Sequence, residues 1–107
     1  MRVLFVCSRN RLRSPTAEAV FADYEGIEAA SAGTSPDAET VVSADLVEWA
    51  DIIFAMEPVH RRRLNEKFAA MLKTKKVVVL AIPDNYEFMN DELVTILKTK
   101  VERYLKL

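Results

Sequence analysis

With 107 residues, half of them hydrophobic, and only two glycines, the chain (1–107) is sized for a single domain and composed unlike a disordered or fibrous protein. Fifteen basic residues against sixteen acidic leave a formal charge of −1, with no basic tail or stripe that would suit nucleic acid. One cysteine excludes an internal disulfide and fits a reducing, cytoplasmic setting; the N-terminal apolar run is only a strand long, so it reads as neither a signal peptide nor a membrane span.

In chain order, Val3–Val6 is an unbroken apolar run and predicts a buried strand. Pro15–Glu25 predicts a helix, with Ala17, Val20, Phe21 and Tyr24 on one face and Gly26 ending it. Glu28–Ala32 is a short second strand, followed by a Gly33-Thr34-Ser35-Pro36 loop. Ser43 is placed to cap a short helix running through Trp49, and Ile52–Met56 is a third strand. Pro58–Leu72 reads as helical, with Leu64, Phe68, Met71 and Leu72 inward. The β-branched segment Val77–Ile82 is a fourth strand. Asn90–Leu105 is a last helix that carries Leu93, Ile96, Leu97, Val101, Tyr104 and Leu105 on one side. Strands this apolar, alternating with helices, predict a three-layer α/β/α fold: a parallel sheet with helices on both faces. Ligands of such sheets bind beyond the carboxyl ends of the strands. Cys7 follows the first strand and Asp84 follows the fourth, so two chemically useful side chains arrive at one edge.

The segment Cys7-Ser8-Arg9-Asn10-Arg11-Leu12-Arg13-Ser14 lies between the first strand and the first helix. A phosphate group wants backbone N–H donors, a helix N-terminus and a planar cation, and a loop in this position offers the first two. Arg13 adds the fork that matches two phosphoryl oxygens. A free thiol titrates near ~8.5, and a helix N-terminus with a neighbouring cation can bring a cysteine to ~3.5–7.5. The field that holds phosphate therefore also favours a thiolate nucleophile. Ser14 has two possible uses, as an N-cap and as a hydroxyl donor to that sulfur. Each feature has a plainer reading on its own. A lone cysteine at a strand end is a small buried hydrophobe, Ser-Pro is an ordinary helix start, and clustered arginines are a solvated surface. Their coincidence at strand–loop–helix spacing points to chemistry.

VCSRNRLRSPTAE resembles the active-site signature of the low-molecular-weight protein tyrosine phosphatases, with Cys, five residues, Arg and Ser near the N-terminus. Three later segments resemble the family in order: Ser31-Ala32-Gly33-Thr34, Ala50-Asp51-Ile52-Ile53-Phe54-Ala55-Met56, and Pro83-Asp84-Asn85-Tyr86, the last similar to an Asp-Pro-Tyr acid loop with Asn85 in the place of proline. The resemblance implies a four-stranded parallel sheet of order 2-1-3-4. It implies a cysteine-dependent phosphomonoester hydrolase acting on phosphotyrosine proteins or small aryl phosphates, with neither a metal nor a cofactor. Cys7 would be the nucleophile and Arg13 the phosphoryl clamp. Asp84 would be the general acid and then base. Ser8, Arg9, Asn10, Arg11, Leu12, Arg13 and Ser14 would form the phosphate loop, with Asn10 bracing it, and Tyr86 would wall the pocket.

Three positions depart from the family pattern. Arg9 stands where glycine is usual, which would cost energy if that position needs a positive φ. Leu12 stands where many members carry a second cysteine, and the recognition region 35–44 is short. The remaining candidates read as structural. His60 suits a polar face or a local hydrogen bond, Arg61-Arg62-Arg63 a mostly solvated face, and Trp49 the core or the pocket rim. Thiol arsenate reductases share the loop but need further cysteines, and phosphocarrier domains need neither Arg13 nor Asp84. The alternative from another class is a non-catalytic phosphate- or phosphopeptide-binding module on the same fold.

Overall fold

The computed structural model describes residues 1–105. Strand β1 (Arg2–Cys7) is central, with every residue from Val3 to Cys7 buried. It pairs in parallel with β2 (Glu28–Gly33) on one side and β3 (Ile52–Ala55) on the other, and β4 (Lys76–Val79) pairs in parallel with β3. The order is therefore β2-β1-β3-β4, as expected. Register brings Cys7 beside Gly33, Val6 beside Ala55, and Ala55 beside Val79, so the strand ends form one carboxyl edge.

The pleat of β1 divides the core. Val3, Phe5 and Cys7 point to the side covered by α1 (Arg13–Phe21) and α4 (Asp91–Leu105), where Phe5 stacks on Phe21 and Phe54 at centroid distances of 5.5 and 5.4 Å. Leu4 and Val6 point to the side covered by α2 (Ala44–Trp49) and α3 (Pro58–Leu72), against Val47, Leu64 and Leu72. Trp49 is half-buried on this second side, as core. Ser43 caps α2 by accepting from Leu46 N, and Asn90 Oδ1 accepts from Leu93 N at the start of α4. No helix of the described residues is long and apolar enough to cross a membrane.

Two elements, α1 and β4, differ from expectation by more than one residue at an end. Helix α1 begins two residues before Pro15 and ends at Phe21 rather than Glu25. Beyond it the chain turns through Tyr24 N→Phe21 O and Ile27 N→Tyr24 O, with Gly26 at φ 81. Tyr24 still packs on Phe21, from the turn rather than from a helical face. Strand β4 stops at Val79 instead of Ile82 because Ala81 takes φ 56, which lifts it out of the ladder. Leu80 N and Ile82 N nevertheless bond Ala55 O and Met56 O, and both side chains are buried. The kink delivers the following Pro83-Asp84 to the carboxyl edge.

Candidate active site

Between β1 and α1 the backbone folds into a tight loop, held from behind by the short segment after β2. Thr34 N donates to Cys7 O (3.0 Å), Ser35 N to Ser8 O (2.9 Å) and Glu39 N to Arg9 O (3.1 Å). In a trans peptide the carbonyl of one residue and the N–H of the next point in opposite directions. Three carbonyls tied backwards therefore turn the N–H groups of Ser8, Arg9 and Asn10 to the other side. Gly33 makes this approach possible, since a Cβ there would lie 2.4 Å from Ser8 O and 2.6 Å from Ala38 Cβ. The 35–44 region thus has a definite use, as a clamp on the back of the loop. The strain anticipated at Arg9 is absent. Asn10, not Arg9, has the positive φ (56°), and asparagine tolerates that conformation.

The thiol sits at the end of a directional hydrogen-bond chain. Ser31 Oγ donates to the Glu18 carboxylate at 2.6 Å, so it accepts from Asn10 Nδ2 at 2.8 Å. Asn10 Nδ2 gives a second hydrogen to Ser14 Oγ at 2.9 Å, while Asn10 Oδ1 accepts from Thr40 N. Ser14 Oγ is thereby supplied as an acceptor, and its own hydrogen is directed to Cys7 Sγ, 2.9 Å away. Ser14 is not the N-cap that the sequence also allowed. The cap position is Leu12, with no side-chain bond, and Ser14 lies inside the first turn.

Arg13 is 2% exposed. Its Nη1 donates to Glu57 Oε1 (2.6 Å) and Ile82 O (2.8 Å), and its Nε lies 3.6 Å from Asp84 Oδ1. A buried guanidinium needs such partners, and they come from the ends of β3 and β4. Cys7, Ser8, Arg9, Arg11, Leu12, Arg13 and Asp84 line one cavity of about 560 Å³. Asp84 is well exposed at its mouth. Arg11 pairs with Glu39 at 3.3 Å, both half in solvent. Of the other expected site residues, Asn10 and Ser14 lie behind the cavity as braces. Tyr86 is half-buried against the α1–α4 core and is not among the lining residues, so the apolar wall is Leu12. Among the described residues no group of three or more His, Cys, Asp or Glu side chains is arranged to hold a metal ion.

Two contributors were not anticipated. Glu57 has no motif to mark it. His60, which the sequence suits to a polar face or a local hydrogen bond, is fully buried against the loop. Its Nδ1 accepts from Glu57 N (3.0 Å), closing a capping box at the start of α3, and its Nε2 lies 2.9 Å from Ser8 Oγ. The available signal was positional: Glu57-Pro58 starts a helix just past a strand end at the ligand edge. Burial first, and then the Arg13 charge, pushes His60 down to about 4 from its ordinary 6.5; Arg63 acts in the same direction, while Glu57 and Asp84 oppose. The folded state thus holds His60 neutral where the unfolded chain takes up a proton. Its contribution is complete above pH 6.5 and is lost as pH falls towards about 4, on the order of 3 kcal/mol in all. Urea-unfolding free energies should decline over that interval, and a His60→Gln variant should show a shallower decline. Equal slopes for the two proteins would contradict the assignment.

Comparison with known proteins agrees with this geometry. The family model described as low molecular weight phosphotyrosine protein phosphatase matches residues 2–48. No curated protein sequence matches the chain. Among solved structures, the YwlE arginine phosphatase from Geobacillus stearothermophilus is similar at TM-score 0.78 and 23% identity, over 98% of this chain and 93% of that one. The YwlE arginine phosphatase C7S mutant with a phosphorylated active-site serine is similar at 0.76 and 25%, over 99% and 96%. The tyrosine phosphatase Wzb from Escherichia coli K30, in complex with phosphate, is similar at 0.75 and 18%, over 98% and 96%. The Cys7–Ser14 loop lies inside the matched segment and the sheet has the order expected for these enzymes, so the chain is similar in sequence over residues 2–48, and in fold throughout, to the low-molecular-weight protein tyrosine phosphatases, a family of cysteine-based phosphatases.

Proposed function

We propose that this chain hydrolyses phosphotyrosine in proteins, or small aryl phosphates, through a phosphocysteine intermediate. The observation that carries the reading is the Cys7 sulfur, receiving the Ser14 hydroxyl in a cavity that also holds Arg13 and Asp84. The Cys7 thiolate attacks phosphorus. An S–P bond forms as the bond to the leaving oxygen breaks, and Asp84 gives its proton to that oxygen. Water then attacks the phosphocysteine, with Asp84 taking its proton, and the S–P bond breaks to release phosphate and the thiolate. Arg13 and the N–H groups of Ser8, Arg9 and Asn10 hold the equatorial oxygens throughout. The phosphorylated active-site serine in the YwlE C7S mutant supports a covalent step of this kind here.

The similar structures include both arginine and tyrosine phosphatases. The cavity lining favours tyrosine. Arg9, Arg11 and Arg13 all line the cavity; Glu39 pairs with Arg11 and Glu57 with Arg13, while Arg9 makes no ion pair among the described residues. Phosphoarginine brings a cationic guanidinium beside its phosphoryl group, whereas phosphotyrosine brings a neutral ring. Like charges placed together oppose binding. One peptide, prepared with either residue, decides the matter by kcat/KM. The expected result is a preference of at least ~10-fold for phosphotyrosine. Preference for phosphoarginine would reverse the assignment, and binding without turnover of either would favour a non-catalytic phosphopeptide-binding module.

A further inference from the structure

Resting on the reading of the Cys7–Ser14 loop as a phosphoryl site, we infer that His60 is a positioning residue whose Nε2–H holds Ser8 Oγ and so aims the Ser8 hydroxyl hydrogen at a phosphoryl oxygen in the cavity. The proton positions follow from the partners. A backbone N–H can only donate, so His60 Nδ1, 3.0 Å from Glu57 N, is the unprotonated nitrogen of the ring. The proton of the neutral imidazole is therefore on Nε2 and points to Ser8 Oγ at 2.9 Å. Ser8 Oγ accepts that bond and must place its own hydrogen elsewhere. No second partner for it lies within hydrogen-bond distance among the described residues, while Ser8 lines the cavity next to Cys7 and Arg13. A bound phosphoryl oxygen supplies the missing acceptor, and a hydrogen bond to a charged oxygen is the stronger kind.

The arrangement resists change because His60 is fully buried and fixed from both ring nitrogens. The charged groups around it are Arg13, Glu57, Arg63 and Asp84, and together with burial they leave it neutral above about pH 4. The Ser8 donor is therefore set over the whole range in which the protein would act. His60 also serves the other side of the site, since the Glu57 whose N–H it accepts is the residue that holds Arg13.

The two bonds of His60 can be separated by substitution. In His60→Asn the amide oxygen can stand in for Nδ1 and keep the Glu57 cap, but the side chain is too short to reach Ser8. In His60→Gln the amide nitrogen can reach Ser8 as Nε2 does. Calorimetric titration with inorganic phosphate reads the effect without any need for turnover, so the result is independent of whether the chain proves to be a phosphatase. Ser8→Ala should weaken phosphate about tenfold. His60→Asn should weaken it about threefold, and the Ser8→Ala/His60→Asn double variant should be no weaker than Ser8→Ala alone. His60→Gln should recover most of the loss seen in His60→Asn. The inference is overturned if Ser8→Ala binds phosphate like the parent, if the two losses multiply in the double variant, or if His60→Gln binds no better than His60→Asn. A loss that merely follows unfolding would appear in the melting curve and would multiply with Ser8→Ala, so it too counts against the inference.

Discussion

Cys7→Ser will lower turnover of an aryl phosphate by at least about 10³-fold while leaving inorganic phosphate binding measurable. In the proposed mechanism the sulfur reacts from the end of the hydrogen-bond chain that runs from Glu18 through Ser31, Asn10 and Ser14. A serine hydroxyl in the same position keeps its proton, and nothing adjacent can take it. Ser14 Oγ already accepts from Asn10, and both ring nitrogens of His60 are committed, to Ser8 and to Glu57 N. The anion-holding groups, by contrast, do not depend on sulfur. The backbone of Ser8–Asn10 is fixed by bonds from Thr34, Ser35 and Glu39, and Arg13 by Glu57 and Ile82 O. Steady-state assays with a nitrophenyl ester, run beside phosphate titration, test both halves. Activity near that of the parent would remove the covalent step; loss of phosphate binding would mean that Cys7 holds the loop rather than reacting from it.

The parts of this site that could be read from the sequence are those whose signal is local. The run Val3–Val6, the cysteine after it, the arginine before Ser-Pro and the β-branched fourth strand each act over a few residues, and together they place Cys7 and Asp84 at one edge. What escaped depends on partners far along the chain. Glu57 meets Arg13 across 44 positions and His60 meets Ser8 across 52, and no periodicity reports such contacts. The lone histidine is far from both motifs along the chain, whereas the start of its helix lies at the carboxyl edge, against the loop that follows β1. Backbone conformation was equally hidden. The sequence suggested strain at Arg9, but the turn passes its positive φ to the neighbouring Asn10, and Ala81 ends β4 early with a left-handed residue that carries no glycine to announce it. Tyr86 followed the motif in sequence, yet its neighbours in space are core residues rather than the cavity.

Asp84→Asn will slow esters of weakly acidic phenols by about 10²–10⁴-fold and will have far less effect on esters of strongly acidic ones. The carboxyl group reaches the cavity because Ala81 kinks the chain after β4, Ile82 anchors it in the core, and Pro83 then leads to Asp84 at the mouth. There it lines the same cavity as Cys7, which suits a proton donor to a departing oxygen. A phenolate that leaves readily needs no proton, so an asparagine costs it little. A basic phenolate must be protonated as the bond to phosphorus breaks, and an amide cannot supply that proton. The dependence of log kcat/KM on leaving-group acidity should therefore be steeper in the variant than in the parent. The lateral contact complicates a simple deletion, because Asp84 Oδ1 lies 3.6 Å from Arg13 Nε. Asparagine retains an oxygen for that contact, and Arg13 keeps Glu57 and Ile82 O, so phosphate affinity should change little. Equal losses across the ester series, accompanied by weaker phosphate binding, would show that Asp84 acts by orienting Arg13 and would leave the proton donor to be sought elsewhere.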